Sequence, residues 1–259
     1  MEITASLVKE LRERTGIWMM ECKKALTATN GDIEAAIEEL RKKGLAKAAS
    51  KADREAFEGG IKIVPEGTKA YVVSVSCETD FLANSDRYKE MLSSVVAELK
   101  AGKSIEEAQE MINKDYSLEM GENLQVREYR SFEGVKVGSY VHSNNKVAAL
   151  VVAKKDVEEE KLKQVAMHIT AANPEFLAAS DISPEVIEKE KAIQLEMMKN
   201  DPKMAGKPDE VLLKIIEGKM SKFASEVSLL EQAFVINPDQ KVKDFVGADS
   251  LSAFYRFSI

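Results

Sequence analysis

The sequence predicts an α+β fold, in which an N-terminal bundle of three short helices precedes a duplicated core. Two observations predict it. Apolar residues recur at helical spacing over residues 4–44, with glycines at the expected helix ends. A β-hairpin followed by an amphipathic helix then occurs twice, over residues 61–102 and 135–172. The expected segments are a three-helix domain (1–45), a linker (46–59), a first core subdomain (60–134), a second core subdomain (135–182 and 228–259) and an inserted antiparallel helical hairpin (183–227).

Three helices are predicted within the first fifty residues. The first carries its apolar residues on one face and ends at Gly16, because glycine suits the left-handed conformation that follows a helix. The second covers roughly residues 19–29. Asp32 is the expected N-cap of the third helix, which we expect to end at Gly44. A bundle this small is near the lower size limit for independent folding, so its inner faces are expected to form its own core.

Two similar halves are predicted in the core. The strands of the two hairpins are expected over residues 61–64, 70–75, 135–141 and 147–153. The first hairpin precedes a helix over residues 86–102, and the second precedes a helix that ends before Asn173. Between the halves, residues 104–124 are polar and are expected to be helical. The order of elements, rather than residue-level similarity, indicates the duplication.

A pair of long helices is predicted inside the second half. Ser183 is the expected N-cap of the first, with Pro184 at its first position, and a second helix is expected from Pro208. The segment 200–210, rich in proline and glycine, is expected to break the pair. Each helix has one apolar stripe, which favours an antiparallel coiled coil that projects from the body. Alternatively, both helices cover the core sheet.

Composition excludes several classes of protein. The net charge of −7 argues against the basic surface that nucleic-acid binding requires. Cys22 and Cys77 are the only cysteines and lie far apart, which predicts neither a disulfide framework nor a zinc site. No apolar run approaches the roughly 20 residues of a membrane span, and the N-terminus lacks the apolar region of a signal peptide. We expect a cytoplasmic protein that binds neither nucleic acid nor membranes.

Motifs for chemistry are missing as well. The sequence has no glycine-rich phosphate loop, and it has no GxSxG, HExxH or EF-hand pattern. His168 lies beside an apolar helix face without a second ligand at metal spacing, so a structural role is expected. Glu78 and Asp80 are spaced as a carboxylate pair on a strand, but no apolar pocket is evident to separate their pKa values. We expect no enzyme activity, cofactor, metal or small-molecule substrate.

Residues 14–40 resemble two known families. Met20-x-Cys22-x-x-Ala25-Leu26, followed by Gly31-Asp32, resembles ubiquitin-associated domains, which are protein-binding modules. The stretch Arg14-Thr15-Gly16 with Met19-Met20-Glu21-Cys22-Lys23-Lys24-Ala25-Leu26 is more similar to the N-terminal domain of the elongation factor Ts family. From the residues alone, the methionines and Cys22 are expected in the core and the two lysines in solvent. The second resemblance implies that the following residues bind a partner: Arg14, Thr15, Gly16, Met19, Met20 and Lys23.

Trp18 departs from the pattern of the elongation factor Ts family. That family has small residues between the glycine and the methionine pair, whereas this chain has Ile17 and Trp18. A tryptophan is costly to expose and its indole N–H needs a hydrogen-bond partner. Either Trp18 completes the core of the bundle, or it enlarges an apolar contact surface.

The segment Thr79-Asp80-Phe81-Leu82 follows a β-branched run. Read locally, Thr79 or Asp80 caps a turn and Phe81 lies inside the protein. The segment also resembles the Thr-Asp-Phe motif of the elongation factor Ts family, with leucine where valine is usual. That resemblance implies an exposed Phe81 that enters the GTP-binding domain of elongation factor Tu, disturbs its Mg²⁺ site and so promotes exchange of GDP for GTP. We interpret Thr79, Asp80, Phe81 and Leu82 in this way.

The resemblance covers nearly the whole chain, from Thr4 to Phe257. It implies that the N-terminal bundle contacts the GTP-binding domain of Tu and that the second core subdomain contacts a distal domain. The family commonly continues beyond Phe257, whereas this sequence ends at Ile259, so contacts made by that tail are expected to be missing. Two alternatives stay open. A ubiquitin-associated-type binding module explains only the first 44 residues, and a structural or chaperone-like role explains only the helical hairpin.

Overall fold

The computed structural model describes residues 3–201 and 207–259, which divide into two units. Unit 1 comprises Met1–Phe132, Val141–Val147 and Phe257–Ile259, and unit 2 comprises Glu133–Tyr140 and Ala148–Arg256. Helices and small antiparallel sheets occur in the same units, so the predicted α+β fold class is confirmed. The finer five-segment division stays a prediction. Within the described ranges, no helix has the length and apolar character needed to cross a membrane.

Unit 1 begins with three helices: α1 (Ala5–Thr15), α2 (Met19–Ala28) and α3 (Ile33–Ala49). Thr4 and Asp32 cap α1 and α3 by accepting backbone N–H bonds, and Gly16 ends α1 with a φ of 72°. The core of these helices is formed by buried residues of all three and of the turn after α1, namely Val8, Leu11, Ile17, Cys22, Ala25, Leu26, Ala36 and Leu40. The three predicted helices are present, while their likeness to a ubiquitin-associated domain stays an interpretation.

The predicted end of α3 at Gly44 is wrong, because the helix continues to Ala49. A Cβ on Gly44 would lie 2.8 Å from the backbone oxygens of Asn113 and Lys114. This glycine therefore permits the close approach of α3 to a neighbouring helix, which sequence spacing alone does not distinguish from a helix stop.

The rest of unit 1 is a three-stranded sheet with helices packed on it. Its strands are β1 (Glu58–Glu66), β2 (Lys69–Cys77) and β3 (Gln125–Glu133), in the order β1-β2-β3. Its helices are α4 (Asp80–Ala83), α5 (Asp86–Lys100), α6 (Ile105–Asp115) and α7 (Ser117–Met120). β1 and β2 form an antiparallel hairpin in which Glu58 faces Cys77 and Glu66 faces Lys69. β3 was not predicted from the sequence, because its exposed charged residues interrupt the apolar alternation of a strand.

Unit 2 repeats the order of hairpin and helix. Its main strands are β4 (Lys136–Val141), β5 (Val147–Ala153) and β8 (Leu251–Ser258), in the order β4-β5-β8, and α8 (Glu159–Ala172) follows the hairpin. Its further elements are α9 (Pro184–Lys199), α10 (Asp209–Val227), the short hairpin β6 (Ala233–Phe234) and β7 (Asn237–Lys241), and α11 (Val242–Val246). The core holds buried residues from β5, α8, α11 and β8, with Phe234 and Phe245 stacked 4.4 Å apart.

The two long helices begin as predicted. The Ser183 side chain accepts from the N–H of Val186, Pro184 opens α9, and Pro208 directly precedes α10. The helices pack against each other, and Lys219 Nζ donates to Gln194 Oε1 over 2.8 Å. The turn predicted between them falls largely on residues 202–206, outside the described ranges. Their coiled-coil character stays a prediction.

Candidate functional site

The Thr-Asp-Phe segment forms a one-turn helix directly after the central strand of unit 1. β2 ends at the buried Cys77, and Thr79 is the N-cap of α4, where its Oγ1 accepts from the Leu82 N–H over 3.3 Å. At the other end, the backbone N–H and the side-chain amide of Asn84 both donate to the Asp80 carbonyl. The turn is therefore capped at both ends. Since Asp80 is helical, Glu78 and Asp80 do not share one face of a strand.

The faces of α4 differ sharply in burial. Phe81 is 87% exposed, although phenylalanine is normally an inside residue, and Asp80 beside it is exposed too. Leu82 and Ala83 point the other way and pack against the core formed by β2 and α5. Packing thus holds the turn to the body of unit 1, while the aromatic ring and the carboxylate face outward. The local alternative, in which Phe81 lies inside the protein, is wrong.

A carboxylate from the loop after α7 holds the base of this turn. Glu122 Oε2 accepts the backbone N–H groups of Glu78 and Thr79 over 2.8 and 2.9 Å, and its Oε1 accepts the Thr79 hydroxyl over 2.5 Å. The sequence did not predict Glu122 as part of this site. The only signal was a Gly-Glu-Asn turn ending a polar segment, which is typical of any helix end.

The second set of predicted residues lies around the turn between α1 and α2. Arg14 is paired with Glu34 over 2.6 Å, and the Thr15 hydroxyl donates to the Leu11 carbonyl over 2.7 Å. Gly16 lies against a side-chain pair of the neighbouring helices, because a Cβ there would come within 2.8 Å of Arg87 Nη2. Of this set, Arg14 and Thr15 therefore make contacts that shape the turn.

The residues that open α2 form an exposed apolar surface. Trp18 is 71% exposed, Met19 is 50% exposed and Met20 is 64% exposed, with Lys23 also in solvent. Only Cys22 of the expected core set is buried, so the expectation that both methionines pack inside is wrong. The core of the bundle instead joins Cys22, Ala25 and Leu26 of α2 to α3. Trp18 therefore does not complete that core, and its role in a contact surface stays a prediction.

The two predicted sets meet at one cleft within unit 1. The cleft has a volume of about 510 Å³ and is lined by Arg12, Gly16, Trp18, Met19, Leu82, Arg87, Glu119 and Met120. Arg87 donates to Glu119 over 2.8 Å, which ties α5 to α7 at its floor. Of the predicted residues, Gly16, Met19 and Leu82 therefore line one cleft.

Cys77 and His168 are buried among the described residues. No group of three or more His, Cys, Asp and Glu among them could hold a metal ion. Burial raises the pKa of the Cys77 thiol to about 12, which leaves it protonated and unreactive. His168 is buried, its Nε2 lies 2.8 Å from Gln232 Oε1, and its Nδ1 accepts the Val235 N–H. Burial lowers the pKa of His168, so its neutral form holds the β6-β7 hairpin.

Comparisons with known proteins point to one family. A family model described as elongation factor TS matches residues 78–259. Elongation factor Ts of Pseudomonas syringae pv. tomato is 45% identical over 262 residues, covering 98% of this chain and 90% of that protein. The protein of the same name from Spiroplasma citri is 40% identical over 266 residues, covering 97% and 90%. That of Klebsiella pneumoniae is 43% identical over 268 residues, covering 100% and 92%.

Proposed function

The chain belongs to the elongation factor Ts family of translation elongation factors, and we propose that it binds elongation factor Tu–GDP and promotes release of the GDP so that GTP can bind. The observation that supports this most strongly is Phe81. A large aromatic side chain that is 87% exposed on a doubly capped turn is placed to anchor in a pocket of a partner.

The proposed mechanism is insertion of Phe81 into the GTP-binding domain of Tu. Because α4 is held to unit 1 by Leu82, Ala83 and the Glu122 hydrogen bonds, the ring enters as part of a preorganised surface. Entry separates elements that organise the Mg²⁺ of the bound nucleotide, and the carboxylate of Asp80 adds a negative charge beside them. A bound cation is a large part of the electrostatics of a phosphate site, so its displacement weakens the hold on GDP.

The start of α2 supplies the second part of the contact. Trp18, Met19 and Met20 expose apolar area, and the first two line the same cleft as Leu82. Aromatic and methionine side chains are enriched at protein interfaces, and Lys23 fits the polar rim of such a contact. We assign this surface to the GTP-binding domain of Tu and unit 2 to a distal domain of Tu. The protein makes and breaks no covalent bond in this scheme, needs no cofactor, and works in the cytoplasm.

Exchange of this kind is a linkage between two ligands of Tu. If the chain weakens GDP binding by some factor, GDP must weaken binding of the chain by the same factor. GTP, present in excess, then binds the empty nucleotide site of Tu, and its binding releases the chain. The coupling between the two ligands is the whole of the activity.

Binding measured by calorimetry tests this proposal. The chain is titrated into nucleotide-free Tu and into Tu–GDP with Mg²⁺, and ubiquitin is the control partner. We expect affinity for nucleotide-free Tu to exceed that for Tu–GDP by a factor within or above roughly 5–150, the usual range of allosteric coupling. Equal affinities contradict an exchange role. Binding to ubiquitin in place of Tu favours the ubiquitin-associated-type binding module.

A further inference from the structure

The carboxylate of Glu122 makes more contacts with the Thr-Asp-Phe segment than a helix cap requires. It accepts three hydrogen bonds from two consecutive residues, Glu78 and Thr79, over 2.5 to 2.9 Å. The two backbone N–H groups lie between the end of β2 and the start of α4, where no strand or helix partner is available to them. Hydrogen bonds to an ionised carboxylate are about twice as strong as neutral ones, so this contact fixes the point at which the chain turns.

Glu122 also fixes the rotamer of the N-cap. A threonine hydroxyl has one proton and two lone pairs. Because Thr79 donates its proton to Glu122 Oε1, a lone pair of Oγ1 is left to accept the Leu82 N–H over 3.3 Å. Thr79 thus orients the single turn of α4, and Phe81 is the second residue of that turn.

The contact is reciprocal and includes the segment before β1. Glu78 Oε1 accepts the Asn123 N–H over 2.7 Å, so neighbouring residues of the two loops bind each other in both directions. The Asn123 side-chain amide donates to the carbonyls of Ala52 and Arg54 over 3.2 and 2.6 Å. Three segments that are far apart in sequence therefore meet behind α4.

Cations of the same segment lie close to these carboxylates. Arg54 lies 3.4 Å from a carboxylate oxygen of Glu78, and Lys51 is buried beside Gly121. Burial lowers the pKa of Lys51, while Glu78 and Glu122 act in the opposite direction, as expected for nearby opposite charges. The cluster is electrically compensated and belongs to unit 1 alone.

We propose that Glu122 is a positioning residue for nucleotide exchange, which sets the location of Phe81 through Thr79. This inference rests on the proposed function. Packing of Leu82 and Ala83 holds one side of α4, and the Cys77 thiol donates to the Thr79 carbonyl over 3.2 Å, but neither contact orients the Thr79 hydroxyl that caps the turn. Without Glu122 the turn keeps its apolar contacts while its N-cap and the direction of the Phe81 ring become variable. A ring held loosely must be ordered on binding, which lowers its contribution.

The test is the maximal rate of GDP release from Tu at saturating chain, measured for the wild type and four variants. Glu122→Ala removes all three hydrogen bonds, and Thr79→Val removes the hydroxyl alone. Glu122→Gln keeps one oxygen that can accept the two backbone N–H groups, but it replaces the oxygen that accepts the Thr79 hydroxyl with an NH2 donor. Glu110→Gln, an exposed carboxylate paired with Lys114, is the matched control. We expect Glu122→Ala to lower the maximal rate roughly tenfold, equivalent to the loss of one or two net hydrogen bonds. Glu122→Gln should restore part of the rate, because it keeps an acceptor for the two backbone N–H groups but loses the charge and the acceptor for the Thr79 hydroxyl, and Glu110→Gln should not alter the rate.

A double variant separates positioning from general damage. If Glu122 acts through Phe81, then Glu122→Ala lowers the rate in the wild type but has little further effect in a Phe81→Ala background. An equal loss in both backgrounds overturns the proposal, and so does a wild-type rate in Glu122→Ala. Should Glu122→Ala fail to fold, Thr79→Val enters the same cycle in its place.

Amide hydrogen exchange, measured on the free chain, tests the positioning role of Glu122 separately from the proposed nucleotide-exchange function. In the absence of Tu, Glu122→Ala is expected to speed amide hydrogen exchange at Thr79 and Leu82. If the wild type leaves GDP release unchanged, the proposed function fails while this measurement still reports on the contact. Unchanged protection at both amides overturns the positioning role by itself.

Discussion

Three exposed apolar side chains of unit 1 belong to the surface that we propose to contact Tu. Trp18 and Met20 lie at the start of α2, and Phe81 lies on α4. Burying such side chains against a partner gives a favourable free energy, and tryptophan and other aromatic anchors often dominate it. Since none of the three contributes to the core, their loss is expected to change binding and leave folding intact.

Trp18 is predicted to add affinity for Tu. Trp18→Ala should weaken binding by about 2 kcal/mol, roughly thirtyfold, because an aromatic anchor at an interface contributes on this scale. Trp18→Phe, which keeps an aromatic ring, should recover much of the loss. Calorimetric titration of both variants into nucleotide-free Tu measures the effect, and the melting temperature of the free variants should match the wild type. Unchanged affinity in Trp18→Ala would place this residue outside the contact.

The burial of single residues near this surface was only partly predictable. Cys22 lies in the core and Phe81 lies outside it, as the motifs indicated, but Met19 and Met20 were expected inside. Apolar spacing shows which residues share a helix face. It does not show whether another element covers that face, and here α3 covers only the side that holds Cys22.

Glycine has opposite roles in two helices of this chain. Gly44 lies where α3 meets backbone carbonyls, whereas a Cβ on Gly218 in α10 would have no heavy atom within 4 Å. From the sequence, Gly44 was predicted to end a helix and Gly218 to lie within one, yet both lie inside helices. The difference arises from packing between elements, which a single sequence does not record.

The same substitution is therefore predicted to have opposite effects at these positions. Gly44→Ala places a Cβ 2.8 Å from two backbone oxygens and should destabilise unit 1 by about 1–3 kcal/mol, as overpacking does. Gly218→Ala should stabilise α10 by about 0.5–1 kcal/mol, because alanine loses less conformational entropy in a helix. Urea unfolding followed by circular dichroism compares the two. A stabilised Gly44→Ala variant would show that α3 can move away from Asn113 without cost.

Strands were harder to predict than helices at the scale of elements. The hairpin of β1 and β2 follows from its β-branched run and glycine turn, and α9 follows from Ser183 and Pro184. β3 was missed because exposed charged residues interrupt its apolar pattern. Such a strand exists through its neighbour β2 and has no strong signal of its own.

For the whole molecule, the sequence indicated the fold class and the family. It did not indicate the hydrogen bonds of Glu122 that hold the Thr-Asp-Phe segment. Resemblance located Thr79 to Leu82 and the residues around Gly16, and the structure places Leu82 and Met19 at one cleft. Glu122 follows Leu82 by 40 residues and has an ordinary local context. Only the folded chain brings its carboxylate to Thr79. Long-range hydrogen bonds of this kind leave no periodic pattern in a sequence.

We propose that this chain accelerates release of GDP from Tu and that Phe81 is the side chain responsible. The most direct measurement is the release rate of a fluorescent GDP analogue from Tu, mixed with excess GDP and saturating chain in a stopped-flow instrument. Phe81→Ala is compared with Phe57→Ala, since Phe57 is an equally large ring in unit 1 and is 75% exposed outside the motif.

We expect strong acceleration of GDP release by the wild type and by Phe57→Ala. Phe81→Ala should reduce the maximal rate by roughly tenfold or more, because an anchor that separates partner elements contributes at least about 1.4 kcal/mol. Acceleration that is unchanged in Phe81→Ala would contradict the role of this residue, and no acceleration by saturating wild-type chain would contradict the exchange function itself.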